Sequence, residues 1–231
     1  MKNKNKNKNV LEFEKKRYTV IPNVLSKDVI ELATQYALFD EMQDFNADKS
    51  QVVGAHSKYG DPVMESLLLK LQPILEEATG LSLLPTYSFY RVYRNGDTLA
   101  KHKDRPSCEI SCTLSFNYSY EDSDYSWPIY MDGEAIHLKP GDIAVYRGID
   151  NEHWREPLVF PEPAWHVQAF LHYVDQNGPH AEWKYDTRPN IGEHLSTRGY
   201  LSNQNSQPIT QQQNQPEQEK GKTPSYIEYT K

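Results

Sequence analysis

The 231-residue chain carries 25 Lys and Arg against 32 Asp and Glu, a formal net charge of −7, with 37% hydrophobic residues and a mean hydropathy of −0.79. The acidic balance argues against a general nucleic-acid binder, and no apolar run is long enough for a transmembrane helix or a secretory leader. Cys108 and Cys112 sit four apart in a strand-like stretch, too far for a relaxed disulfide, so both read as reduced thiols of a cytoplasmic protein.

In chain order, residues 2–9 alternate Lys and Asn and offer nothing to bury, so residues 1–17 read as a flexible basic tail. Residues 18–25 read as a strand entering a turn. Ser26 then caps a helix with Val29, Ile30, Leu32, Ala33, Tyr36 and Ala37 at helical spacing. Residues 40–60 read as irregular. Asp61-Pro62 opens a second helix whose apolar stripe runs from Met64 to Ala78 and stops at Gly80, with a kink expected at Pro73. From residue 83 the pattern turns to period two, rich in Tyr, Val, Ile and Phe. Strands are expected near 85–94, 98–103, 109–119, 127–131, 134–138, 143–147, 152–157 and 164–174. Short strands with regular turns predict a sandwich or barrel, with the helices as a packing layer. Residues 175–198 read as an ordered extension, because Trp183 and Tyr185 need a buried home. The Gln- and Asn-rich residues 199–231 read as disordered, which leaves one domain over 18–198.

The chemistry concentrates in His102-Lys103-Asp104. Residues two apart on a strand share a face, so His102 and Asp104 project together while Lys103 turns away. His153, on a later strand, can supply a third ligand; His137 and His172 are its rivals. Two imidazoles and one carboxylate on one face of a metal suit a non-haem Fe(II) centre that activates O₂.

The order Tyr90-Arg-Val-Tyr93-Arg-Asn-Gly96, His102-Lys-Asp104, Leu138-Lys-Pro-Gly141-Asp142 and His153 resembles the prolyl-4-hydroxylase-like branch of the 2-oxoglutarate and Fe(II)-dependent dioxygenases, over about residues 18–186. The resemblance implies a mainly β fold: a double-stranded β-helix, or jelly roll, over about 83–175, with N-terminal helices packed on one sheet. It implies Fe(II), 2-oxoglutarate and O₂, with hydroxylation of a C–H bond and release of succinate and CO₂. The family places an Arg or Lys on the final strand to pair with the outer carboxylate of 2-oxoglutarate. Here that position holds His166. Arg155, two past His153 and facing the same way, is the favoured substitute, and Arg147 is a third candidate. Tyr93 lies where the family has a tyrosine on the co-substrate, and Thr113 and Ser115 share a strand face that could line the same pocket. A cupin-like metal enzyme without a keto acid, or a jelly-roll binding module without a metal, would share much of this pattern. The substrate class stays open between a peptide and a small molecule, with 40–60, 119–127 and 157–164 as candidate gating loops.

Overall fold

The computed structural model describes residues 7–120, 124–161 and 163–192. Among the described residues three α-helices, α1 (Lys8–Lys16), α2 (Lys27–Gln43) and α3 (Pro62–Thr79), accompany ten strands. The strands are β1 (Tyr18–Ile21), β2 (His56–Tyr59), β3 (Leu83–Arg94), β4 (Leu99–His102), β5 (Ile110–Tyr118), β6 (Ile129–Met131), β7 (Glu134–Ile136), β8 (Ile143–Arg147), β9 (His153–Arg155) and β10 (Trp165–Asp175). They form a six-stranded sheet, in the order β1-β8-β5-β10-β3-β2, and a four-stranded sheet, β4-β9-β6-β7. All their pairings are antiparallel. The two antiparallel sheets agree with the sandwich or barrel expected from the period-two pattern and with the jelly roll that the family resemblance implies.

Alternation along the strands of the larger sheet divides its two faces. Val92, Cys112, Leu114, Leu171 and Tyr173 turn outward and pack with Met64, Leu68, Leu71 and Leu75 of α3 and Ala33 and Ala37 of α2. The opposite face looks into the roll. There Ala144 and Tyr146 meet Ile129, Met131 and Ile136 of the smaller sheet, and Tyr93 and Phe170 meet Leu99 and Trp127. The helix caps follow the sequence signals. The Asp61 side chain accepts N–H bonds from Val63 and Met64, and Gly80 closes α3 in the left-handed conformation at φ 72°. The helix runs through Pro73 to Thr79.

Two local expectations are corrected. The flexible tail gives way at residue 8 to α1. Asn7 caps that helix through Asn9 N–H, and its Phe13 is 1% exposed against the core. One buried aromatic ring and a cap outweigh the polar composition of the segment. Within the stretch read as irregular, β2 adds an edge strand by pairing with β3. Residues 1–6 and the tail at 199–231 lie outside the described residues. No helix among the described residues is long and apolar enough to cross a membrane.

The extension after β10 is ordered to residue 192, but its anchors are ionic. Trp183 and Tyr185 are half-buried, whereas Asp186 and Arg188 are buried. Arg188 Nη2 donates to Glu65 Oε1 at 2.6 Å and to the Thr86 carbonyl at 2.9 Å. Asp186 accepts both arms of the Arg105 fork, each at 2.8 Å, and the Tyr59 hydroxyl at 2.7 Å. Tyr185, Asp186 and Thr187 all adopt positive φ, at 58°, 53° and 62°. Each costs on the order of 1–3 kcal/mol, so these charge-assisted contacts hold a strained strap.

Removing one partner of the Glu65–Arg188 pair strands a buried charge. Glu65→Ala should therefore lower unfolding free energy by about 3–5 kcal/mol, while Glu65→Leu combined with Arg188→Met recovers most of it, as read by urea denaturation. The pairing with Arg105 and Tyr59 holds the Asp186 carboxyl below the ordinary carboxylate range despite its burial. The stabilisation from that pair is full above about pH 4, the unfolded carboxylate value, and fades as pH falls through the lower folded value. Limited proteolysis of the strap should accelerate in that acid range, and Asp186→Asn should make cleavage fast at every pH.

Candidate metal centre

β4 and β9 pair with His102 directly opposite His153, and their rings lie 4.2 Å apart between centroids. Beyond β4 the chain leaves the sheet. The Asp104 N–H donates to the Gly148 carbonyl at 2.9 Å, which turns the carboxylate back toward both rings. Asp104 Oδ1 lies 3.6 Å from His102 Nε2 and 3.6 Å from His153 Nε2. Lys103 is exposed, as the alternation requires.

The tautomers follow from the hydrogen bonds. His102 Nδ1 faces the Ala100 carbonyl at 2.8 Å, and His153 Nδ1 faces the Asn151 carbonyl at 3.1 Å. A carbonyl only accepts, so each Nδ1 carries the proton and each Nε2 offers a lone pair toward Asp104. Right-angled ligands on bonds of about 2.1 Å would stand about 3 Å apart, so small side-chain shifts suffice to close on a metal. Burial works against charge on both imidazoles. On His153 it prevails and the pKa falls. On His102 the contact with Asp104 and the bond to Ala100 outweigh it and the pKa rises. Burial also opposes the Asp104 charge, but the two histidines and the Ser111 hydroxyl, 2.7 Å from Oδ2, bring its pKa down to about 2. The carboxylate is thus ionised at physiological pH.

Asp104 also lies near Cys108 and His172, a second cluster of metal-ligand types. Burial raises the Cys108 thiol to about 12, and it contacts the Tyr87 hydroxyl at 3.0 Å. His172 bonds Ser111 through Nδ1 at 2.9 Å. A protonated thiol is a poor ligand, so the set of His102, Asp104 and His153 fits a metal better. His137 is exposed, on Ser126 at 2.6 Å, away from this centre.

The triad faces a cavity of about 350 Å³, walled also by Gln51, Arg91, Arg105, Tyr146, Phe170 and His172. Of the stretch 40–60, Ser50, Gln51 and Tyr59 line the cavity. None of 157–161 or 163–164 does, and residues 121–123 and 162 fall outside the described set.

The five residues expected around a co-substrate form a connected network deeper in the roll, outside the cavity lining. Arg155 is 2% exposed. It donates through Nη1 to the Trp127 carbonyl at 2.7 Å and through Nη2 to Gln168 Oε1 at 2.6 Å. Gln168 in turn donates to the Thr113 hydroxyl. Arg155 Nε has no partner, and among the described residues no carboxylate forms an ion pair with this guanidinium. Tyr93 packs edge-on against Trp127 and accepts from Arg91 Nη1 at 2.9 Å. His166 lies between the Tyr120 hydroxyl, 2.7 Å from Nδ1, and Ser115 Oγ, 3.3 Å from Nε2. Burial, reinforced by the nearby Arg155 charge, pushes His166 well below the imidazole range, so it is neutral. Arg147 points elsewhere, over the Phe13 ring of α1.

Two residues of the centre escape sequence reasoning. Gln51 Nε2 reaches His102 Nε2 at 3.2 Å from a loop without regular structure. Gly148 lies so close to the ligand that a Cβ there would overlap the Asp104 carboxylate and the Cys108 carbonyl, and meet Ser111 Oγ at 2.7 Å. The Gly148 signal is absent because the close approach exists only between distant segments.

No protein-family model and no curated protein matches the chain by sequence. Solved structures match by fold. A Pseudomonas putida prolyl-4-hydroxylase superposes with a TM-score of 0.55 at 15% identity, over 71% of this chain and 96% of that one. The non-haem alpha-ketoglutarate-dependent epimerase SnoN of nogalamycin biosynthesis gives 0.60 at 13% identity, over 80% and 90%. A Trichoplax adhaerens prolyl hydroxylase, in complex with a hypoxia-inducible-factor peptide, gives 0.58 at 12% identity, over 78% and 90%. The chain has the fold of the 2-oxoglutarate and Fe(II)-dependent oxygenases.

Gly148→Ala should displace the Asp104 carboxylate while leaving the sheets paired. The expected result is a stability loss of about 1–3 kcal/mol and at least tenfold weaker Mn(II) binding in calorimetry.

Proposed function

We propose that this jelly roll is an Fe(II)- and 2-oxoglutarate-dependent dioxygenase that hydroxylates a C–H bond of a peptide or small-molecule substrate, with succinate and CO₂ as co-products. One observation carries the reading. The Nε2 lone pairs of His102 and His153 and the ionised Asp104 converge at one cavity wall, on a fold shared with such oxygenases. His102, Asp104 and His153 would hold iron by one face, and the open face would supply O₂ activation coupled to oxidative decarboxylation of the keto acid.

The protein's own part is positioning. The Ala100 and Asn151 carbonyls fix the ring tautomers, and Ser111 holds the carboxylate. Arg155 is the best candidate for the outer carboxylate of 2-oxoglutarate. A buried guanidinium without a counter-ion is costly, and an orphaned Nε–H calls for an acceptor. It shares a strand face with His153. His166, being neutral, would support that pocket by hydrogen bonding with Ser115 and Tyr120 rather than by charge. Tyr93 and Thr113 complete its polar wall. The two buried free thiols fit a reducing, cytoplasmic setting.

Anaerobic titration with Fe(II) and then 2-oxoglutarate tests this reading through the visible charge-transfer band of a chelated keto acid. The band should appear in the wild type and vanish in Asp104→Ala. Arg155→Gln should weaken 2-oxoglutarate tenfold or more, about 1.4 kcal/mol. Iron binding without the band would move the cupin-like reading to the front.

A further inference from the structure

The cavity carries a cation that the proposed chemistry does not use. Arg91 reaches the lining from β3, 1% exposed. Its guanidinium is packed by Phe89 and Tyr93, both 5.2 Å from ring centroid to Cζ, and by Phe170 at 5.6 Å. Such packing on three rings fixes the plane of the fork. Nη1 donates to the Tyr93 hydroxyl, and Nη2 donates to Asp48 and, at 3.2 Å, to Gln51 Oε1. Nε is buried and has no partner. A guanidinium has five N–H donors, so the Nε–H is spare and desolvated inside a cavity wall.

Asp48 organises this wall. Its carboxylate takes Arg91, the Ser50 N–H at 2.7 Å, the Ser50 hydroxyl at 2.9 Å and the Gln51 N–H at 3.2 Å. The result places Gln51 between Arg91 and His102, with its amide nitrogen 3.2 Å from the ligand atom His102 Nε2. Arg91 and Gln51 thus stand together in the lining of one cavity beside the candidate metal face. Across it, Arg105 already has a carboxylate partner, pairing through both arms with Asp186. Arg91 is the lining cation with an unmet donor.

We propose that Arg91 and Gln51 form a carboxylate-binding site in the metal cavity, and that the carboxylate belongs to a small-molecule substrate. The assignment rests on the dioxygenase reading, which reserves Arg155 for the keto acid. The two Nη arms already hold Tyr93, Asp48 and Gln51, so what the fixed cation offers is its spare Nε–H, and a charge-assisted bond from it favours an anionic oxygen over a neutral group. A cavity of about 350 Å³ is at the small end of ligand pockets, which suits a small acid rather than a long peptide. The same chemistry could instead take the outer carboxylate of the co-substrate, and the test separates the two.

Calorimetry on the full chain loaded with Mn(II) uses three probes: 2-oxoglutarate, 2-oxobutyrate, which has the same keto-acid head without the outer carboxylate, and glutarate added after saturation with 2-oxoglutarate. In Arg91→Gln, glutarate should bind at least tenfold more weakly, with the ratio of the two keto acids unchanged. A selective loss of 2-oxoglutarate against 2-oxobutyrate would keep the carboxylate site and reassign its ligand to the co-substrate. No difference from wild type with any probe, including absence of glutarate binding, overturns the proposal. Should Arg91→Gln fail to fold with Asp48 unpaired, Arg91→Lys keeps the charge without the fork and should weaken glutarate several-fold. Gln51→Ala, in a surface loop, should do the same. Glutarate binding that depends on Arg91, in a protein that gives no keto-acid band with iron, would leave the site standing and remove the dioxygenase reading instead.

Discussion

The Asp104 carboxylate is a charge that the interior of a β roll does not tolerate alone, and the centre is arranged around satisfying it. The Ser111 hydroxyl donates to Oδ2 and the Asp104 N–H is tied to Gly148, whereas both imidazoles turn Nε2 lone pairs toward Oδ1 and give that oxygen no donor. Removing water from a carboxylate costs several kcal/mol, which only close donors or a cation repay. That demand explains why β4 and β9 must pair in the register that opposes His102 and His153. It also explains why a neighbouring strand end carries a residue without a side chain.

The same constraint appears twice more at greater distance. Arg155 is buried without an acid, and Arg91 is buried with one acid but with a donor to spare. In a stable fold, buried polar groups are matched by partners. Orphaned donors, one in the cavity wall and one deeper in the roll, therefore point to groups that arrive from outside. The strap adds the opposite case: Arg105, next to Asp104 in the chain, finds its acid in Asp186, at the expense of three left-handed residues.

Much of this was legible in the sequence, for physical reasons. The period-two run from residue 83 gave all eight later strands, because a strand facing a core on both sides must alternate or run apolar. The His-x-Asp spacing anticipated that His102 and Asp104 project together, although β4 ends at His102 and the bond from Asp104 N–H to Gly148, rather than strand alternation alone, turns the carboxylate back. Asp61-Pro62 and Gly80 marked a helix that begins and ends there. What was hidden depends on pairing rather than pattern. His56–Tyr59 holds neither Val nor Ile and becomes a strand only by adding to the edge of β3. Trp183 and Tyr185 looked like the strap's anchors, yet ion pairs at Asp186 and Arg188 hold it. Arg91 stood in plain view between Tyr90 and Val92. Only its inward face, shared with Phe89 and Tyr93, and the loop folded over it reveal that it meets the cavity.

The ligand set and the cationic wall come from different sheets. His102 and His153 belong to the smaller sheet, with Asp104 just past it, whereas Arg91 belongs to the larger one and Gln51 to the loop beside it. Hydrogen bonding within each sheet is self-contained, so side chains on one can change without altering register on the other. A lineage built on this plan could keep its redox half under strict selection while the opposite wall drifts. Acceptance of new acids would then evolve by exchange at two or three positions, with the oxygen chemistry inherited intact.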